Sequence, residues 1–211
     1  MAMLTKKEYG SLYSKKVTSL KADLRAKLLN KRQSFERSKS DEQTLKDRVL
    51  VNIRKDLTSR CVSGYSAILG EIFIVELLMA LEERGAVLGL PVITSKNVRM
   101  VFKKWDTRRS LEVGLHNISE PGKDSDEVKP DILLVPLVAF DKAGNRLGMG
   151  AGFYDKYINE ERRKRKIVVY GIGYDFQEVN RVPCASHDEK MDGVFTPTRF
   201  ISLNNLGHMA L

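Results

Sequence analysis

Between Ser14 and Ser34 the apolar residues Val17, Leu20, Leu24, Leu28 and Leu29 recur at helical spacing among many basic positions. That spacing predicts one amphipathic helix. Ser40 to Leu57 predicts a second, with Ser40 or Asp41 as its cap and Glu42 and Gln43 close behind. The period then changes. Arg60 to Ile68 reads as a strand, Glu71 to Glu83 as a helix, and Ala86 to Ile93 and Arg99 to Trp105 as strands. Ser119 to Lys129 carries Pro121, Gly122 and several charges, and reads as a surface loop. Asp131 to Phe140 is the most apolar segment, and such continuous hydrophobicity suits a central strand covered on both faces. A helix from Gly152 or Phe153 to Arg165, a strand from Ile167 to Tyr174 and a last strand from Val194 to Ser202 complete the pattern.

Alternating helices and buried strands predict an α/β fold, a three-layer sandwich with a mostly parallel central sheet. No repeat or low-complexity linker divides the chain. Residues 1–13 read as an N-terminal extension and residues 14–211 as a single domain. Ligands on such sheets bind beyond the carboxyl ends of the strands. The loops after Ile68, Phe140 and Tyr174 are therefore expected to meet at one site.

Composition narrows the classes. Of 211 residues, 42% are hydrophobic and 30% charged, which suits a globular chain and not a disordered one. No apolar run reaches the roughly 20 residues that span a bilayer; Glu76 interrupts the stretch Ile72 to Leu81. The opening MAMLTKKEYG lacks the apolar segment of a signal peptide. Cys61 and Cys184 are too few for a metal cluster or a disulfide framework, so free thiols in the cytoplasm are expected. The net charge of +9 is spread widely. Its densest cluster, Arg162 to Lys166, follows Glu160 and Glu161 and has no interleaved aromatics. A solvated helix end is the expected reading; no nucleic-acid or membrane partner is expected.

Candidate chemistry concentrates in FDKAGNRLGMGAGFYDKY, residues 140–157. A buried strand leads into a turn with Asp141 and Gly144, then Arg146, Gly148, Gly150 and Gly152, then a helix. Closely spaced glycines let backbone N–H groups approach a phosphate, and a helix N-terminus behind them favours an anion. Arg146 is suited to bidentate contact with phosphate oxygens. Asp155, in the first helical turn, is placed to hold a phosphate-bridging magnesium ion. The run lacks the G-K-[ST] of a Walker A loop and the spacing of a dinucleotide fingerprint. Taken alone, the glycines are ordinary turn residues as readily as a phosphate cradle.

The stretch PDILLVPLVAFDKAGNRLGMGAGFYDKY resembles the signature of 5-formyltetrahydrofolate cyclo-ligases, an apolar strand followed by G-x-R-L-G-x-G-x-G-[YF]-Y-D. Lys21 and Arg25 in LKADLR, Glu71 after SGYSAILG, and Asp188 in PCASHDEKMDGVFTP match three further motifs of that family, in the same order over roughly residues 20–200. The sequence departs from the pattern at Phe73, Met149 and Ala151. The resemblance implies a fold like the NagB/RpiA/CoA-transferase group. It also implies a reaction in which ATP and 5-formyltetrahydrofolate give 5,10-methenyltetrahydrofolate, ADP and phosphate. By the same resemblance, Lys21, Arg25, Arg146, Gly148, Gly150 and Gly152 serve ATP. Glu71, Met149, Gly150, Ala151, Gly152 and Phe153 serve the folate, Asp155 and Asp188 hold Mg2+, and Arg146 and Tyr154 take part in catalysis.

Each residue also has a plainer reading. Lys21 and Arg25 are also readable as surface charges on one helical face. Glu71 and Asp155 are also readable as acids favoured by a helix N-terminus, and Asp188 as a turn residue. His187 reads as structural or exposed, Trp105 as packing at a strand end or part of a pterin pocket, and Cys184 as no nucleophile. Two other functions compete: a non-enzymatic RNA- or anion-binding protein on the same scaffold, and a sugar-phosphate isomerase, which needs an acid and a base but no ATP loop.

Overall fold

The computed structural model describes residues 6–94, 99–114 and 117–203. Helix α1 (Lys6–Gln33) begins eight residues before the sequence periodicity places it, inside the segment read as an extension; residues 1–5 of that segment lie outside the described residues. Helix α2 (Lys39–Asn52) is capped by Ser38, not Ser40 or Asp41. Ser38 has extended backbone and its hydroxyl accepts the Ser40 N–H at 3.1 Å, the geometry an N-cap requires. α2 stops at Asn52, short of Leu57, because Asp56 turns the chain by accepting the Thr58 N–H and the Leu57 N–H is donated to the Arg84 carbonyl.

Strand β1 (Cys61–Ser63) is much shorter than the expected 60–68. Leu78 packs so tightly over Gly64 that any side chain there would collide with it, and the Tyr65 hydroxyl donates to the Ile72 carbonyl, closing a loop. Helix α3 (Val75–Glu83) therefore starts four residues beyond Glu71, so Glu71 is no helix-terminal acid. β2 (Val87–Thr94) and β3 (Arg99–Trp105) fall where expected. The region expected as a loop, 119–129, carries two short strands. β4 (Glu112–Val113) pairs with β5 (Ser119–Glu120), and β6 (Glu127–Val128) extends the main sheet.

The apolar segment 131–140 is two strands, β7 (Ile132–Pro136) and β8 (Ala139–Phe140), broken at Leu137 and Val138. Their carbonyls are taken by the Gln177 amide at 2.7 and 3.1 Å, and Leu137 O also by Arg32 at 3.2 Å. The break thus leaves no buried carbonyl unsatisfied. β9 (Arg146–Leu147), α4 (Phe153–Arg162) and β10 (Val168–Ile172) follow. The expected last strand is a hairpin, β11 (Gly193–Phe195) and β12 (Phe200–Ser202), turned through the stretch containing Pro197.

The main sheet has the order β12-β11-β10-β7-β1-β2-β3-β6. The five adjacent strands β11, β10, β7, β1 and β2 are parallel; β12 and β3 run antiparallel to them on either side, and β6 pairs antiparallel with β3 at the edge beyond it. Alternation along β7 sends Ile132 and Leu134 to one face and Leu133 and Val135 to the other. The first face packs on α2 and α3 through Leu45, Val49, Leu77, Leu78 and Leu81. The second packs on α4 through Ile158, with Phe153, Tyr154 and Tyr157 alongside. α1 crosses the carboxyl end of the sheet, where Leu28 meets Val138, Ala139 and Leu147. Layers on both faces and a helix across one end leave the site at the carboxyl ends of β1 and β7.

Candidate active site

Asp141 shapes the loop that follows β8. Its buried carboxylate accepts the N–H groups of Ala143, Asn145 and Val182 and the Asn145 side-chain amide, all at 2.9–3.1 Å. Although burial opposes ionisation, these donors hold its carboxyl below the usual range. The turn delivers Arg146 on β9. The Arg146 side chain runs beneath the glycine segment, where one Nη donates to the Pro136 carbonyl at 3.3 Å and the other to Asp155 at 3.0 Å. The guanidinium lies 5.4 Å from the Tyr154 ring centroid. Gly150 and Gly152 have φ of 108° and 71°, a region that side chains other than glycine's resist. Gly152 is the N-cap of α4, so the glycine segment delivers the chain directly into the helix that carries Phe153, Tyr154 and Asp155.

α1 supplies the facing wall. Lys21 Nζ meets both Asp188 oxygens, at 2.5 and 2.7 Å, and Arg25 Nε donates to the Gly148 carbonyl at 2.9 Å. The late loop closes the third side. The Ala185 N–H donates to Asp188, and the Glu189 N–H donates to Asp155 at 3.1 Å. One backbone step therefore links the two carboxylates. Arg162 on α4 grips this loop through Glu189 and Asp192, both at 2.9 Å. Arg165 pairs with Glu161 at 2.7 Å and with Asp131 at 3.4 Å. The basic cluster read as a solvated helix end is thus partly a set of ion pairs, and three of its acidic partners, Glu189, Asp192 and Asp131, are distant in sequence.

Glu71 also lines the cavity. Its carboxylate accepts the Ile68 N–H at 3.1 Å and faces Arg32 at 3.9 Å. Burial pushes its carboxyl up to about 7, against the pull of the Ile68 N–H and of Arg32. The Tyr154 hydroxyl is buried with no partner among the described residues, and burial raises its pKa. These residues surround a cavity of about 440 Å³ whose lining includes the apolar Pro91, Ile93, Met100 and Ile118.

Every residue that the resemblance implies for ATP, folate, Mg2+ or catalysis lines this cavity: Lys21, Arg25, Glu71, Arg146, Gly148, Met149, Gly150, Ala151, Gly152, Phe153, Tyr154, Asp155 and Asp188. His187 is exposed at its rim. Trp105 packs in the core beneath α2 and α3 and donates its indole N–H to Arg109 O; it is no part of the cavity wall. Cys184 is half-buried with its thiol pKa raised by burial, which does not suit a nucleophile. Three residues around the site were missed: Arg32, Asp141 and Gln177. Arg32 sits among basic residues of a helix and carries no sequence signal of burial. Asp141 belongs to the glycine motif, yet its acceptor role depends on Val182, forty-one positions away.

Among the described residues no three His, Cys, Asp or Glu side chains converge as a metal cluster. Mg2+ needs no such cage: it takes one or two carboxylates and completes its shell with water and phosphate oxygens. Asp155 and Asp188 both line the cavity and are carboxylates of that kind, each paired here with a cation, Arg146 and Lys21 respectively.

Comparison with known proteins gives a consistent answer. The model of the 5-formyltetrahydrofolate cyclo-ligase family matches residues 17–197. The 5-formyltetrahydrofolate cyclo-ligase of Escherichia coli K12 is 33% identical over 135 residues, covering 62% of this chain and 74% of that protein. That of Haemophilus influenzae is 32% identical over 152 residues, covering 70% and 80%. The solved structure of Aquifex aeolicus 5,10-methenyltetrahydrofolate synthetase superposes with a TM-score of 0.70 at 29% identity, covering 91% of this chain and 96% of that one.

Proposed function

This chain belongs to the 5-formyltetrahydrofolate cyclo-ligase family, and from that premise we propose that it converts 5-formyltetrahydrofolate and ATP to 5,10-methenyltetrahydrofolate, ADP and phosphate. One observation carries the reading at the level of residues. Four segments far apart in sequence, containing Lys21 and Arg25, Glu71, Arg146 to Asp155, and Asp188, line a single cavity that combines cations with a buried carboxylate.

The chemistry sets what the site must do. The formyl oxygen on N5 is a poor leaving group. Transfer of the γ-phosphoryl group to it forms an O–P bond and breaks the bond to ADP. N10 then attacks the activated carbon, the five-membered ring closes, and phosphate departs with the former formyl oxygen. No enzyme nucleophile is needed; positioning and charge neutralisation suffice. The amides of Gly148, Gly150 and Gly152 and the guanidinium of Arg146 bind phosphate oxygens, and Lys21 and Arg25 approach the nucleotide from α1. Glu71 accepts from the pterin amino and ring N–H groups. Met149, Ala151 and Phe153 flank the folate, and Tyr154, its hydroxyl unpartnered, orients the formyl group. Asp155 and Asp188 would hold Mg2+, which when bound neutralises charge on the transferring phosphoryl group.

Residues 14–211 form one catalytic domain in this proposal, with 1–13 as an extension. Among the described residues no helix is long and apolar enough to cross a membrane. The two free thiols, Cys61 and Cys184, support a reducing compartment, the cytoplasm.

Purified protein given ATP, Mg2+ and 5-formyltetrahydrofolate is expected to develop methenyl-folate absorbance, and to fail when any of the three is withheld. A folded protein giving no absorbance change with all three present contradicts the proposal.

A further inference from the structure

Arg32 has one of the largest fully buried side chains in the protein. It leaves α1 near its last turn and reaches behind the cavity wall. Nε donates to the Leu69 carbonyl at 2.9 Å and Nη1 to the Leu137 carbonyl at 3.2 Å, while Nη2 has no partner among the described residues. Two carbonyl bonds are a poor structural reason for a buried cation, since an apolar side chain of similar volume fills such a site without the desolvation of a charge. The nearest opposite charge is Glu71, 3.9 Å away. That is too long for a hydrogen bond but close enough for strong attraction in a dry setting.

The other groups around Glu71 are its own loop's Ile68 N–H, the Tyr65 phenol from the segment after β1 and the Tyr154 phenol from α4. Neither phenol compensates the carboxylate's charge. Arg32 is thus the cation that stands against Glu71 in the buried end of the site.

We infer that Arg32 is a positioning residue for the reaction: from behind the wall it keeps Glu71 ionised and fixes the Leu69–Glu71 segment against the end of β7, so that Glu71 meets the folate as an acceptor. The inference rests on the reading that Glu71 contacts the folate. Its consequence is a pH dependence. Burial alone drives Glu71 toward the neutral acid, which offers a donor where the pterin also offers donors. Removing the cation extends that tendency to higher pH.

Binding of 5-formyltetrahydrofolate to the whole protein, measured by calorimetry from about pH 5.5 to about pH 9, tests this. For the unaltered protein, affinity is expected to rise with pH to a plateau, with its midpoint near the Glu71 value of about 7. Arg32→Gln keeps donors for the carbonyls but loses the charge. Its midpoint is expected about one pH unit higher, giving roughly fivefold weaker binding at pH 7 and near recovery at pH 9. Arg32→Lys keeps the charge and is expected to keep the midpoint, even if it melts lower. If Arg32→Gln fails to fold, judged by loss of ATP binding, Arg32→Lys still decides: a shifted midpoint in that variant overturns the inference. Uniform loss at every pH in Arg32→Gln, or none, overturns it as well, leaving Arg32 as scaffold. Glu71→Gln separates the two levels of the argument. A flat pH profile there, with uniform loss in Arg32→Gln, removes only the inference. Unaltered affinity and pH profile in Glu71→Gln remove the folate reading of Glu71 itself.

Discussion

At the glycine-segment end of the cavity, Arg146 meets Asp155 at 3.0 Å and Lys21 meets Asp188 at 2.5 Å. At the Glu71 end, the carboxylate has one N–H bond and a cation at 3.9 Å. The two cases differ in how much water reaches their carboxylates. The side chains of Asp155, Lys21 and Asp188 remain 16–18% exposed, whereas Arg32 and Glu71 are 1% and 5% exposed. In the first, each carboxylate has a matched cation and solvent to fall back on, although Arg146 itself is only 4% exposed. The second holds a carboxylate that its surroundings neutralise incompletely, and arriving N–H donors supply what is missing. A polyanion suits the first and a flat, donor-rich ring the second.

Substitutions that act at one end and spare the other sharpen this contrast. Arg146→Ala is expected to lower kcat/KM for ATP ten- to a hundredfold, about 1.5–3 kcal/mol for a lost charge-assisted contact, with little change in folate binding. Steady-state kinetics with each substrate varied separately checks it; equal losses for both ligands make Arg146 structural. Glu71→Gln is expected to raise the folate KM by a comparable or somewhat smaller factor, about 1–3 kcal/mol, because one acceptor becomes a donor facing a donor. Nucleotide binding should be unchanged, and an unchanged folate KM breaks the contrast.

Stability carries the same distinction. The Glu71 carboxyl sits at about 7 in the fold, above its ordinary value of 4.5. The folded protein therefore holds the proton more tightly than the unfolded chain. Its stability falls as pH rises between those values and levels off above about 7. Relative to Glu71→Gln, the unaltered protein should lose about 2 kcal/mol of stability between roughly pH 5 and pH 8. Denaturant titrations of both proteins at the two pH values measure this; a constant difference means Glu71 does not titrate there. The smallest effect is expected at the wetter end. Lys21→Met breaks a partly exposed ion pair and should cost under about 1 kcal/mol in stability, while weakening ATP binding. A large fall in melting temperature would make that pair structural and weaken its assignment to the nucleotide.

How far the sequence carried this account differs between the same two ends. The sandwich was legible because buried parallel strands are nearly all apolar, as Ile132–Pro136 and Val168–Ile172 are. The glycine segment was legible because its glycines, Arg146 and Asp155 lie within ten residues, so local spacing records their geometry. Glu71 was visible as a candidate but not as a buried one; the helix expected to begin at it begins at Val75. Arg32 and Gln177 were invisible because their partners, Leu69, Leu137 and Val138, are backbone carbonyls of remote segments. Carbonyls leave no trace in residue identity. The break between β7 and β8 was hidden for the same reason: its hydrophobicity is continuous, and only the diverted carbonyls end the strand.

The fate of one oxygen atom tests the central claim most directly. 5-Formyltetrahydrofolate carrying oxygen-18 in its formyl group is turned over with ATP in ordinary water, and the released inorganic phosphate is analysed by mass spectrometry. Phosphoryl transfer to the formyl oxygen, followed by attack of N10, predicts one labelled oxygen in each phosphate formed. Unlabelled phosphate accompanying methenyl-folate would mean that ATP is hydrolysed without activating the formyl group, and would contradict the account.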